Sequence, residues 1–84
     1  MEAAAPASLT GGDLAILAIE RRPWRTEAAK NLAILDQLGL TPTRYYQKLS
    51  ELIGNPAALS HDPELVGRLF ARRQRRLAQR TGQE

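Results

Sequence analysis

Leu38-Gly-Leu-Thr-Pro-Thr-Arg-Tyr-Tyr-Gln47 is the stretch that decides how this chain folds. Gly39 is a helix stop, because a left-handed backbone costs glycine nothing. Leu40 follows as an apolar plug for a tight turn. Thr41-Pro42 then opens a new helix, with a hydroxyl to cap its first turn and a proline at the first helical position, where a missing N–H costs nothing. The helix predicted from Thr43 to Ile53 carries Tyr45, Leu49, Leu52 and Ile53 on one stripe, and Thr43, Arg44, Gln47, Lys48 and Glu51 largely on the other.

Working outward, Thr26 caps a helix predicted over Glu27 to Leu38, with Ala28, Leu32, Leu35 and Leu38 as its inward stripe, broadened by Ala33 and Ile34. Before it, Thr10-Gly-Gly-Asp13 starts a helix through Leu14 to Arg22, apolar at Leu14, Leu17 and Ala18 and widened by Ile16 and Ile19. Pro23 stops it, and Trp24 is expected to seal the core between the first two helices. Downstream, Gly54-Asn55-Pro56 ends the third helix, and Pro56 to His61 reads as a linker with room for one helical turn through Ala57, Ala58 and Leu59. Asp62-Pro63-Glu64 opens a fourth helix reaching about Arg76. Leu65, Val66, Leu69 and Phe70 anchor its first two turns, after which only Ala71, Leu77 and Ala78 are apolar, so its second half is expected to project past the core. No segment has strand periodicity. The expected fold is all-α: three helices in a helix-turn-helix arrangement plus a fourth, basic C-terminal helix, with residues 1–9 a disordered arm, 10–76 the domain and 77–84 a frayed tail.

At 84 residues, 43% hydrophobic and 25% charged, the composition is that of one small globular domain with a thin core. There is no cysteine, which excludes disulfides and thiolate metal sites. One histidine, His61, cannot make a metal site and is read as a cap or an exposed residue. No Ser–His–Asp set, facing pair of acids or glycine-rich phosphate loop is present, so catalysis, cofactors and a small-molecule substrate are not expected. The longest apolar run, Leu14 to Ile19, is too short for a membrane span. Met1 to Pro6 has no basic or long apolar region that would read as a secretory signal. A cytoplasmic protein is the expectation.

The charge is unevenly spread. The net charge is +3. Residues 1–67 hold six basic and eight acidic groups, whereas residues 68–84 hold Arg68, Arg72, Arg73, Arg75, Arg76 and Arg80 against Glu84 alone. A neutral body with a basic end points to a polyanion, most often nucleic acid. In a helix-turn-helix the second helix enters the major groove. Arg44 could then bond guanine O6/N7, Gln47 adenine N6/N7, Lys48 guanine or phosphate, and Thr43 a thymine methyl. Arg25 and Lys30, near the start of the second helix, and the Tyr46 hydroxyl are candidate phosphate contacts, as are the six arginines of the basic end. Those arginines could track phosphates, insert in a minor groove or meet an acidic partner; phosphate tracking fits best, because the apolar face of residues 71–80 is too poor for a membrane.

Leu14-Ala-Ile-Leu-Ala-Ile-Glu-Arg21, Ala28-Ala-Lys30, the Thr43-Arg-Tyr-Tyr-Gln47 run, Asn55-Pro-Ala-Ala-Leu59 and His61-Asp-Pro-Glu-Leu-Val66 resemble a small, uncharacterised actinobacterial family of helix-turn-helix-like proteins, over about residues 10–76. The chain departs from that pattern at Arg22-Pro23-Trp24. The resemblance, which extends to a mycobacterial nucleoid-associated protein, implies a non-enzymatic DNA-binding factor acting in the nucleoid, either a transcriptional regulator or a chromosome organiser. Double-stranded DNA is then the expected partner, with homodimerisation or cooperative assembly supplying the affinity that one small module lacks. The alternative is a helical protein–protein adaptor on the transcription machinery, docking through Trp24, Tyr46 or the basic helix.

Overall fold

The computed structural model describes residues 9–82, with side chains described through residue 79. All its regular structure is helical among those residues: α1 (Gly11–Arg21), α2 (Glu27–Ala33), α3 (Pro42–Ile53), α4 (Pro56–His61) and α5 (Pro63–Gly82). α2 runs on without a break into a π-helical stretch, Ile34–Leu38. The expected arm lies outside the described residues except for Leu9, which packs against the core.

Each helix start follows from a capping side chain. Thr10 and Asp13 form a reciprocal capping box, and Thr26 and Thr41 accept the N–H groups of Ala29 and Arg44 at 3.0 and 3.2 Å. Asn55 caps α4 through the Ala57 N–H at 2.9 Å. The predicted linker is therefore a short helix, and its Ala58 is fully buried. Gly39 ends the π stretch at φ +67°, the left-handed geometry that its sequence position required.

The core consists of Ile16, Leu17 and Ile19 of α1, Ile34, Tyr45, Leu49 and Leu52, Ala58 of α4, and Leu65, Val66 and Leu69 of α5. Trp24 packs against it and donates its indole N–H to the Ile19 carbonyl at 2.8 Å, with the Arg22 guanidinium 4.3 Å above its ring. The inward stripe expected on α3 is the one observed. Other expected core positions lie outside: Leu14 and Ala18 of α1 and Phe70 of α5 are exposed, and α2 is rotated from the expected register. Leu32 and Leu35 are 68% and 56% exposed, while Ile34 is wholly buried. Lys30 faces inward one turn before Ile34 and meets the Glu20 carboxylate at 2.8 Å. The i, i+4 spacing of Lys30 and Ile34 therefore sets the buried face. Turning two leucines outward forgoes up to about 1.5–3 kcal/mol of burial each.

α5 leaves the body after Leu69, and every described side chain beyond it is exposed. The helix continues through Gly82; the rest of the expected tail lies outside the described residues. The Cα radius of gyration, 14.2 Å, exceeds the value near 12 Å expected for this length, as an arm standing out from the body requires.

Asp62 joins the end of α1 to the start of α5. It is buried, accepts the Leu65 N–H at 3.3 Å at the start of α5, and pairs with Arg21 at the end of α1. The Arg21 hydrogen bond is the main reason its carboxyl is held below the ordinary 3.8, against the opposing pull of desolvation. Because the folded-state value is depressed, this stabilisation is complete above the unfolded value and disappears as the pH falls through the folded one. Asp62→Asn keeps a capping oxygen but loses the charge. Its urea midpoint is expected to be lower than the parent's at pH 7 and to converge on it as the pH falls through the depressed folded-state value; a gap that is unchanged with pH would contradict the role given to the ion pair.

A basic cleft between α3 and α5

The ionic cluster under α3 determines which side chains remain free. Tyr45, fully buried, donates its hydroxyl to the Glu20 carboxylate and lies 3.5 Å from the Ile16 carbonyl oxygen. Lys30 pairs with the same carboxylate, and its Nζ sits 5.8 Å from the Tyr45 ring centre and 5.4 Å from that of Tyr46. The two tyrosine rings meet edge to face with centroids 4.9 Å apart. Burial would lower the Lys30 pKa, but the hydrogen bond and charge of Glu20 outweigh it and hold the ammonium above its usual value. Burial, followed by the Glu20 carboxylate, drives the Tyr45 phenol far up. Lys30 is thus a half-buried cation held by Glu20, a role that its polar type conceals in the sequence.

Tyr46, half exposed, donates its hydroxyl to Glu27 of α2 at 3.1 Å. Its pKa is raised, first by burial and then by Glu27, with Lys30 pulling the other way. This hydroxyl already has an acceptor, so it reaches a phosphate only by giving up Glu27.

Beside Tyr46 a cleft of about 520 Å³ opens between α3 and α5. Tyr46, Leu49, Ser50 and Ile53 form one side, and Leu69, Arg72, Arg73 and Arg76 the other, with Glu20, Glu27 and Lys30 at its α1–α2 end. The arginines reach this position for a simple reason. Leu69, Arg72, Arg73 and Arg76 follow the i, i+3, i+4, i+7 spacing of a single helix face, so the core-facing stripe of Leu65 and Leu69 continues outward as arginine. These three side chains are therefore aimed across at α3, and Leu69, Leu49 and Ile53 give the cleft an apolar floor.

Of the residues singled out in the sequence, Thr43, Arg44 and Gln47 are exposed on α3 and Lys48 is half buried. Thr43 and Gln47 lie three or four residues from Tyr46 and Ser50, so the solvent face of α3 borders the cleft. Arg25, Arg68 and Arg75 are exposed but do not line it, and the Arg80 side chain is outside the described residues. Ser50 and the acids Glu20 and Glu27 join the site without having been expected there. The seven-residue interval from Thr43 to Ser50 is a visible signal for the first; nothing local announces the other two. His61 is exposed, and among the described residues no group of acids and histidine could hold a metal. Nor is any described helix long and apolar enough to cross a membrane.

The family described as Protein of unknown function (DUF3263) matches residues 8–81. No match was found among curated proteins or among solved structures.

Removing the Lys30 charge would leave Glu20 buried against a phenol without its cation. Lys30→Met is expected to cost about 3 kcal/mol in urea denaturation, in the range for breaking a buried pair, and Glu20→Gln in the same background is expected to recover part of it. A cost below about 1 kcal/mol would place Lys30 among ordinary surface pairs instead.

Proposed function

This chain belongs to the DUF3263 family, and we propose that it is a non-enzymatic DNA-binding protein built as a helix-turn-helix. α2 and its π extension form the first helix, Gly39-Leu40-Thr41 the turn, and α3 the helix that enters the major groove. The observation that supports this reading is that Thr43, Arg44 and Gln47 stand exposed on α3, while Arg72, Arg73 and Arg76 line a cleft against the Tyr46–Ser50 side of the same helix.

The division of labour follows from chemistry. A 12-residue helix is about 18 Å long and its width suits the major groove. Exposed Glu51 in its last turn would repel phosphate, so the N-terminal half is the end that approaches base edges, as helices of this kind do. Arg44 then reads guanine and Gln47 adenine, with Thr43 and Lys48 at the margin. Arg72, Arg73 and Arg76, spaced along the projecting half of α5, follow the phosphates beside the groove and release counterions. Arg68 and Arg75, on an adjoining face of α5, strengthen the field without lining the cleft. Lys30 has no part in this contact, because Glu20 holds it. A protein of this kind works on the chromosome, as a regulator or an organiser.

Fluorescence anisotropy with random and A·T-rich duplexes across roughly 50–200 mM salt tests this. Binding is expected to weaken steeply with salt. Replacing Arg72, Arg73 and Arg76 by alanine should reduce the slope of log K against log salt by about 0.9 for each phosphate that is no longer neutralised. Arg44→Ala should cost about 1–3 kcal/mol on the preferred duplex and less on others. No binding at the lowest salt would overturn the proposal and favour a protein partner.

A further inference from the structure

α2 carries two apolar faces. One, through Ile34, enters the core. The other consists of Ala28, Ala29, Leu32 and Leu35, with Arg25 before it and Asp36 at its far end, and it is exposed along its length. Ala29, Leu32, Ala33, Leu35 and Asp36 line a shallow open depression there. Positions 28, 32 and 35 repeat at intervals of four and three, the spacing of a helix–helix seam, and Arg25 stands just before the Thr26 cap.

We infer that this face binds the same face of a second copy of the chain, with the two α2 helices antiparallel about a two-fold axis at Leu32. The pattern is complementary to itself in that arrangement and in no parallel one. A two-fold axis at residue 32 sets Leu32 against Leu32 and Ala29 against Leu35, small against large on both sides of the centre. It also sets Asp36 beside the start of α2 of the second copy, where exposed Arg25 precedes the Thr26 cap, so opposite charges meet at each end of the seam. Neither Arg25 nor Asp36 takes part in an ion pair among the described residues. A parallel pairing would instead place like charges side by side at each end. Two-fold interfaces pair residue i with j and j with i, and a seam that satisfies this in both size and charge fits a copy of itself better than an unrelated surface. The seam is one short helix face, well below the roughly 800 Å² per partner of a stable interface, so the pair is weak and forms at high protein concentration.

Sedimentation equilibrium of the full chain without DNA, from about 10 µM to about 1 mM, is the test, and it is independent of the DNA-binding reading. The wild-type mass is expected to rise with concentration from 9.3 kDa towards twice that value. Leu32→Glu, at a position already exposed, should keep the wild-type helicity by circular dichroism and weaken association at least tenfold. Arg25→Asp and Asp36→Arg should each weaken it, and the two together should restore it. A wild-type chain that is monomeric throughout, association indifferent to Leu32→Glu, or single charge reversals that the double variant does not rescue would each overturn the pairing.

Discussion

The contact between Lys30 and Glu20, closed over by the Tyr45 ring, governs how the first three helices stand against one another. It joins one residue from each of α1, α2 and α3, and it fixes the rotation of α2 about its axis. Once Lys30 points inward, Ile34 must follow it, and Leu32 and Leu35 must point out. A purely hydrophobic accounting would turn the helix the other way, since two leucines outweigh one isoleucine. What opposes that rotation is the large penalty for leaving the Glu20 carboxylate, enclosed against Tyr45, without its cation.

The same choice allots the cations of the molecule. Lys30 is held by Glu20, Arg21 is tied to Asp62 and Arg22 lies on Trp24. Arg25, Arg44 and Lys48 remain, with the arginines of α5, which are projected on a helix that outlasts its core contacts. Their direction is inherited from the core stripe of that helix, and that is why they face α3 and form a cleft with it.

Much of the fold is legible in the sequence because its punctuation is strong. Thr10, Thr26 and Thr41 cap, Pro23 and Gly39 stop, and the α3 stripe has no competing alternative. α4 escapes a reading by periodicity because Pro56 to His61 is too short for a period to register. The rotation of α2 is hidden for a different reason. Ala28, Leu32 and Leu35 make the better apolar stripe locally, and the partner that overrides it, Glu20, lies ten residues away and across a turn. Phe70 stays outside because its neighbours Leu65, Val66 and Leu69 already fill the space against the core. For the candidate site, the exposed face of α3 and the basic character of α5 are both readable, but their meeting in one cleft is not, because it depends on the packing of Leu69 against α3. That Tyr46 spends its hydroxyl on Glu27 is equally invisible, since no pattern links residues 27 and 46.

In the proposed function, α3 and the arginine face of α5 act together as one DNA-binding surface. Two-dimensional amide NMR of the labelled chain, titrated with a short duplex, tests this residue by residue. The signals of residues 43–50 and 69–76 are expected to move together and saturate at the same ratio, while those of residues 56–61 stay in place. Shifts confined to residues 25–36, or none at all, would contradict it.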